Sequence, residues 1–415
     1  MVISSAHWAR TAIWWSVYPL GACGAPIWDA DSPGPHHRLR RLEDWLDHLV
    51  GLGCNGLALG PIWASASHGY DVVDHRRIDP RLGDDSDFDR LVSACHARGV
   101  RVLLDGVFNH VSSAHPWVVA ARAEGPDSPV RKLFRQDHNR PDGLSRFEGH
   151  DVLVELNHIN PAVAEDVVQT MNHWLDRGAD GWRLDAAYRV PRGFWARVLP
   201  RVRAAHPEAF IAAEVLHGDY AAIAEQSGFD SVTQYELWKA IWSSLKDRNP
   251  HELSWTLERH AAMSERLLGW TFVGNHDVTR IASQVGVASA RVAWAILMTL
   301  PGVPAVYYGD EYGWPGVKQE CLGGDDAIRP ELPDHPGAGT PEQAETLRQT
   351  QLAISLRRTH PWLVDAAVQI VECSQWRLTW RVAAPDGSWL RATLDVESDP
   401  RLTINGPTGE LMVVC

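Results

Sequence analysis

Short apolar runs alternate with longer stretches whose apolar positions recur at helical spacing along most of this chain. The runs at residues 12–18, 56–59, 100–104, 181–184, 210–213, 231–235, 270–273 and 305–308 predict eight strands. Helical stretches near 38–51, 87–98, 162–177 and 194–205 fall between the earlier strands, and others follow the sixth and seventh. Such alternation predicts a parallel sheet. Eight units favour a closed (β/α)8 TIM barrel over an open doubly wound sheet. No GxGxxG follows the first strand, which weakens a dinucleotide-binding reading.

Two segments break the rhythm. Residues 110–156 separate the third strand from its helix and are rich in Gly, Pro, His and Arg. So long a loop in a compact fold reads as a functional insertion. From about residue 361 the pattern becomes short runs at 368–371, 376–382, 390–394, 402–404 and 411–414, with turn signals at Pro385-Asp386-Gly387 and Asn405-Gly406-Pro407. That predicts a small C-terminal antiparallel β domain. The expected organisation is an α/β barrel from residues 1–109 and 157–358, an inserted domain at 110–156 and a β domain at 359–415.

Composition narrows the partners. With 415 residues, 45% of them hydrophobic and 22% charged, a large core can be buried. A net charge of −13 repels phosphate backbones, so no nucleic-acid partner is expected. No run reaches the roughly 18 apolar residues of a membrane span. The first residues, with Arg10 in their midst, lack the basic start and apolar run of a secretory signal. Six scattered cysteines without a CxxC pair read as free thiols in a reducing compartment, so a cytoplasmic location is expected. Twenty tryptophans hint at sugar binding, because flat amphipathic rings suit sugar faces, although Trp also fills cores. Nothing in the sequence specifies an oligomeric state.

In a (β/α)8 barrel the chemistry sits at the C-terminal ends of the strands. There the third strand ends in Asp105, followed by Asn109 and His110; the fourth gives Arg183 and Asp185; the fifth gives Glu214; the seventh gives Asn275, His276 and Asp277. The second leads into a loop with Trp63, His68, Tyr70 and Asp71. Asp185, Glu214 and Asp277 would thus converge on one mouth beside two histidines and an arginine. Any single acid after a strand is more often a helix cap or a structural ion pair. A cation site built from the carboxylates and histidines is a second reading. Paired carboxylates suit glycoside hydrolysis, one ionised to attack the anomeric carbon and one protonated to donate to the leaving oxygen. Arg183 lies two residues before Asp185, on the same side of the strand, and is expected to keep it ionised. Glu214, near other acids, is then the proton carrier.

These segments resemble the sequence regions of the α-amylase family, family 13 of the glycoside hydrolases. Asp105-Gly106-Val107-Phe108-Asn109-His110 is similar to the family's first region and Gly181-Trp182-Arg183-Leu184-Asp185-Ala186-Ala187 to its second. Ala213-Glu214-Val215 is similar to the third and Phe272-Val273-Gly274-Asn275-His276-Asp277 to the fourth. Leu156-Asn157 with Asn160-Pro161 resembles the region that closes the inserted domain, and residues 302–311 resemble the eighth strand. The resemblance implies Asp185 as nucleophile, Glu214 as general acid/base, and Asp277 as the acid that binds sugar hydroxyls and stabilises the transition state. It implies that Arg183 orients Asp185, that His110 and His276 hydrogen-bond the reacting sugar, that Tyr70 stacks on it, and that Asp105 is mainly structural. Asp325 and Arg329, four apart after the eighth strand, match an Asp and Arg that contact outer hydroxyls in members acting on short oligosaccharides. Trp63 and Asp71 are further candidates for sugar contact.

The resemblance implies a retaining α-glycosidase acting on α-glucosidic links of short maltooligosaccharides or related α-glucosides. A transglycosylase or isomerase would keep the same triad, and a non-catalytic amylase-like carbohydrate-binding protein is the alternative of another class. No cofactor is expected. Many secreted members hold calcium through the first-region asparagine, acids of the insert and a His carbonyl after the nucleophile. Here Asn109 is present, but Arg189 stands where that His would be and the insert is short, which weakens a calcium site; the closing region has Glu155 where the family usually has Asp before Leu-Asn.

Overall fold

In the computed structural model, which describes residues 7–28, 34–125 and 128–415, the eight predicted runs form eight parallel strands. They are β1 (Trp14–Val17), β2 (Gly56–Leu59), β3 (Arg101–Gly106), β4 (Gly181–Leu184), β5 (Phe210–Ala213), β6 (Ser231–Thr233), β7 (Leu268–Phe272) and β8 (Val303–Tyr307). Each pairs with its sequence neighbour, and β1 pairs with β8 to close the barrel. A right-handed crossover through a helix after each strand is what a parallel neighbour requires. The observed strands are short, and β7 and β8 start two residues earlier than the apolar runs suggest.

The barrel's inside is plugged at the N-terminal end by aromatic rings. Trp14 stacks on Trp270 at 5.4 Å and on Phe210 at 6.1 Å, and Trp8 meets Trp14 edge-on. Small residues, Ala58, Ala212 and Ala305, share this inner cluster, so the large rings have room to interdigitate. The polar side chains are left to the other end: Asp105 and Arg183 near the ends of β3 and β4, Asp185 and Glu214 one residue past β4 and β5.

The first helical stretch is broken at Trp45 into Arg40–Asp44 and Leu46–Leu52. After β2 the chain makes an antiparallel pair, Trp63–Ser65 with Val72–Ile78, whose register is irregular. The insertion after β3 is tied to the barrel by His110–Ser112 pairing with Leu153–Glu155, and it carries the helix Pro116–Glu124. A helix of 19 residues, Pro341–Thr359, capped by a reciprocal Thr340–Gln343 box, follows β8. The C-terminal unit is a five-stranded antiparallel meander: β9 (Ala367–Cys373), β10 (Arg377–Ala383), β11 (Trp389–Asp395), β12 (Arg401–Gly406) and β13 (Gly409–Val414). The six cysteines are unpaired. Among the described residues no helix is long and apolar enough to cross a membrane.

Candidate active site

Asp185 and Glu214 each stand one residue past a strand end, and the barrel ladder runs on to both. The Asp185 N–H donates to the Gly106 carbonyl at 3.0 Å and the Glu214 N–H to the Leu184 carbonyl at 2.9 Å. Parallel pairing of adjacent strands therefore brings the two carboxylates side by side. Arg183, on the same face of β4 as Asp185, fills the space between them. Its Nη1 donates to Asp185 Oδ1 at 2.8 Å and to both oxygens of Asp105 at 2.9 Å, and its Nη2 lies 3.0 Å from Glu214 Oε1. One guanidinium thus holds three acids from three neighbouring strands.

Glu214 is pinned further. Its Oε2 accepts from the Ala186 N–H at 2.8 Å, and its Oε1 accepts from the Tyr235 hydroxyl at 3.1 Å. Ala186 adopts φ 44°, in the left-handed region that a non-glycine residue occupies at a cost of about 1 kcal/mol or more. That turn aims its N–H at Glu214. Tyr235 itself accepts from Asn275 Nδ2 at 3.0 Å, and Asn275 Oδ1 accepts from the Asp277 N–H at 2.9 Å.

Asp277 is held by Arg329 Nη2 at 3.2 Å and by His276 Nε2 at 3.1 Å. The His276 ring lies parallel to that of Tyr70, 5.3 Å between centroids, and the Tyr70 hydroxyl contacts His276 Nε2 and donates to Asp105 Oδ2 at 3.0 Å. Tyr70 is thus held through its hydroxyl and through its ring.

These contacts divide the acids electrostatically. Burial pushes the Asp185 carboxyl well above the usual carboxylate range; Arg183 pulls it down, and the charges of Glu214, Asp105 and Asp277 push it up again. Burial outweighs Arg183, the largest influence opposing it. For Asp277, burial also pushes up, but His276, Arg329 and Arg183 together carry the carboxyl far below its ordinary value. Asp277 is a fixed negative charge at any working pH.

Several sequence candidates are placed differently from their expectation. Trp63 is not at the mouth. It is 1% exposed, donates to the Asp105 carbonyl at 2.8 Å, and packs on Trp174 at 4.8 Å and Trp182 at 5.8 Å. An indole on an inner hairpin, covered by a helix, fills the barrel wall. Asp71 spends one oxygen on the Ser67 N–H at 3.1 Å and the other on the Ser67 hydroxyl at 2.6 Å, so it closes its own loop and leaves no carboxylate oxygen unbonded. His110 contacts the Tyr70 carbonyl through Nε2 at 3.1 Å and the Asn109 side-chain amide through Nδ1 at 3.1 Å. With both ring nitrogens occupied, it braces the mouth. Burial drives its pKa down to about 3, so the ring is neutral.

Arg329 is buried and donates to the His276 carbonyl at 2.9 Å as well as facing Asp277 and Asp325. It positions those groups. Asp325 stays a third exposed, 3.9 Å from Lys318 Nζ. Tyr235 and Tyr18 were missed by the sequence reading. Tyr235 stands just past β6, a strand end from which no polar residue was drawn. Tyr18 follows β1, lies under the Arg329 guanidinium at 4.5 Å and parallel to His276 at 6.3 Å.

The calcium donors of the resemblance do not fit a hard cation here. Glu155 already faces two guanidiniums, Arg135 at 3.4 Å and Arg189 at 3.6 Å, and accepts from the Ser145 hydroxyl. The Asn109 amide nitrogen is turned to His110. Two guanidiniums thus already neutralise the acid that would have to bind the cation. Among the described residues, His37, Asp84 and Asp87 also converge, but Arg40 occupies Asp87 at 2.9 Å.

The chain matches the family model described as "Alpha amylase, catalytic domain" over residues 38–351. A cyclomaltodextrinase of a Bacillus species is 30% identical over 350 residues, which cover 76% of this chain and 61% of that protein. Neopullulanase 2 of Thermoactinomyces vulgaris is 30% identical over 344 residues, 76% of this chain and 59% of that one. The intracellular maltogenic amylase of Bacillus subtilis is 30% identical over 338 residues, 75% and 57% of the two chains. This chain thus spans about three fifths of the length of the curated relatives it matches. Among solved structures, a cyclic α-maltosyl-(1→6)-maltose hydrolase of Arthrobacter globiformis superposes over 100% of both chains with a TM-score of 0.83 at 23% identity, a likeness of fold. A debranching enzyme of Nostoc punctiforme gives a TM-score of 0.79 at 26% identity over 95% of this chain and 91% of that one. With three quarters of its length inside the catalytic-domain model, the chain belongs to the α-amylase family, family 13 of the glycoside hydrolases.

Proposed function

We propose that this protein hydrolyses α-glucosidic linkages in short maltooligosaccharides or related α-glucosides by the retaining route. The observation that carries the reading is the single guanidinium of Arg183 bonded to both Asp185 and Glu214. A guanidinium that contacts both carboxylates holds them at one mouth, as a nucleophile and an acid/base acting on the same glycosidic bond require.

In the first step an Asp185 oxygen attacks the anomeric carbon, the bond to the leaving oxygen breaks, and the Glu214 proton passes to that oxygen. In the second, Glu214 takes a proton from a water whose oxygen attacks the same carbon and releases Asp185. Asp277, fixed as an anion by Arg329 and His276, stabilises the positive charge that develops on the sugar. The first step needs Glu214 protonated and Asp185 as the carboxylate, toward which Arg183 pulls it against burial. The misfit of the calcium donors supports a metal-independent enzyme, and six unpaired thiols support a reducing, cytoplasmic setting.

The test is product analysis. The protein is incubated with maltose, maltotriose, maltoheptaose, sucrose, trehalose and isomaltose beside the Asp185→Ala variant, and the anomer released is followed by proton NMR. Shorter sugars that appear first as the α-anomer, absent with the variant, are expected. The β-anomer would overturn the retaining route, longer sugars would indicate transfer to a second sugar, and binding without turnover would mark a carbohydrate-binding protein.

A further inference from the structure

Trp28 stands on the loop after β1, on the same end of the barrel as the acids, and is 50% exposed. Its edge is fixed. Its Nε1–H points to Asp326 Oδ2 at 3.4 Å, and the ring meets His68 edge-on at 6.3 Å. His68 is itself held by its carbonyl, which accepts from Tyr18 at 2.7 Å. Asp326 belongs to the short turn that carries Asp325 and Arg329, and Arg329 reaches Asp277. Loops from β1, β2 and β8 therefore meet at Trp28, which is joined to Asp277 by two chains of contact, one through the turn from Asp326 to Arg329 and one through His68, Tyr18 and His276. Leu322, in the same β8 loop, is 86% exposed.

A lone exposed hydrophobic residue needs no explanation. Trp28 differs because its polar edge is pinned to Asp326, its apolar ring is left half in water, and the turn that pins it carries Asp325, itself 3.9 Å from Lys318 Nζ. Such a ring, with Asp325, Asp326 and Lys318 for hydroxyls, matches the two surfaces of a hexose. We propose that Trp28 is the stacking platform for the second hexose of an α-linked oligosaccharide, next to the ring held between Asp185 and Asp277. This rests on the α-glucosidase reading above and adds to it a preference for at least two rings.

Two measurements test it together. The first compares kcat/KM of wild type, Trp28→Ala and Trp28→Phe on p-nitrophenyl α-glucoside and on maltotriose. For Trp28→Ala the loss on maltotriose should exceed that on the single-ring substrate by about five- to tenfold, in KM, with Trp28→Phe near wild type. Equal losses on both substrates, or a loss confined to kcat, would overturn the proposal in favour of a structural role. The second titrates maltotriose by calorimetry into Asp185→Asn with and without Trp28→Ala. If wild type cleaves nothing but Trp28→Ala still weakens maltotriose binding by that factor, the hydrolase reading falls and the platform stands. If p-nitrophenyl α-glucoside is cleaved while maltotriose neither binds nor reacts, the platform falls and the hydrolase reading stands. If nothing is cleaved and nothing binds, both fall.

Discussion

The Tyr235 hydroxyl donates to Glu214 Oε1 at 3.1 Å and accepts from Asn275 at 3.0 Å, which ties the acid on β5 to the loop that carries Asp277. Removing that hydroxyl frees one side of Glu214 and leaves the Asn275 amide without its acceptor. Tyr235→Phe should fold normally and lose about tenfold in kcat, with a smaller change in KM, because the acid must be placed within hydrogen-bond reach of the leaving oxygen. The full kcat–pH profile separates this from a packing effect. A positioning role displaces the profile, whereas a packing role lowers it uniformly.

Asp185 is the residue whose loss removes the bond-forming group. Asp185→Asn and Asp185→Ala should each reduce kcat by about 10⁴-fold with circular dichroism unchanged. Residual activity within about tenfold of wild type would remove Asp185 from the nucleophile role.

The same aspartate links stability to pH. Burial raises its carboxyl well above its unfolded value, so the folded protein holds a proton that the unfolded chain releases. Its contribution is fully present below the unfolded pKa, near pH 4, and is lost as pH rises toward the folded value. Asp185→Asn keeps an oxygen for Arg183 and has no charge to bury. The variant should therefore melt about 2 °C or more above wild type at pH 7, with the difference shrinking toward pH 4. Calorimetry at pH 4, 5.5 and 7 reads this directly, and a difference that grows toward pH 4 would contradict the raised carboxyl.

Trp63 separates core from binding surface. Losing its ring from between Trp174 and Trp182, together with its bond to the Asp105 carbonyl, should cost about 3–5 kcal/mol in Trp63→Ala. Chemical denaturation measures that loss. A variant with unaltered stability and a raised KM would return Trp63 to the sugar site.

Metal removal checks the reading of Glu155. Because Arg135 and Arg189 already neutralise it, dialysis against EDTA should leave both activity and Tm within about 10% of their starting values. A loss restored by calcium would show that a cation is held despite the two arginines.

Much of this protein can be read in its sequence for a physical reason. A parallel barrel strand is buried on both faces, so it writes itself as a continuous apolar run, and the residue after the run must sit at the mouth. That rule alone places Asp185 and Glu214; Asp277, four residues beyond its run, needs the resemblance as well. It cannot say which way a loop folds back. Trp63, Tyr70 and Asp71 come from one loop, yet one fills the wall, one faces His276, and one closes the loop on Ser67. Trp28 and Tyr235 are ordinary aromatic residues until tertiary structure sets one beside Asp326 and the other against Glu214. The same holds for charge. The sequence puts Arg183 two residues from Asp185, but only the closed barrel brings Asp105 and Glu214 to the same guanidinium. The strand pattern is local chemistry, legible in order along the chain. The sharing of one cation among three acids, and the burial that raises Asp185, arise from neighbours distant in sequence and are decided by the fold.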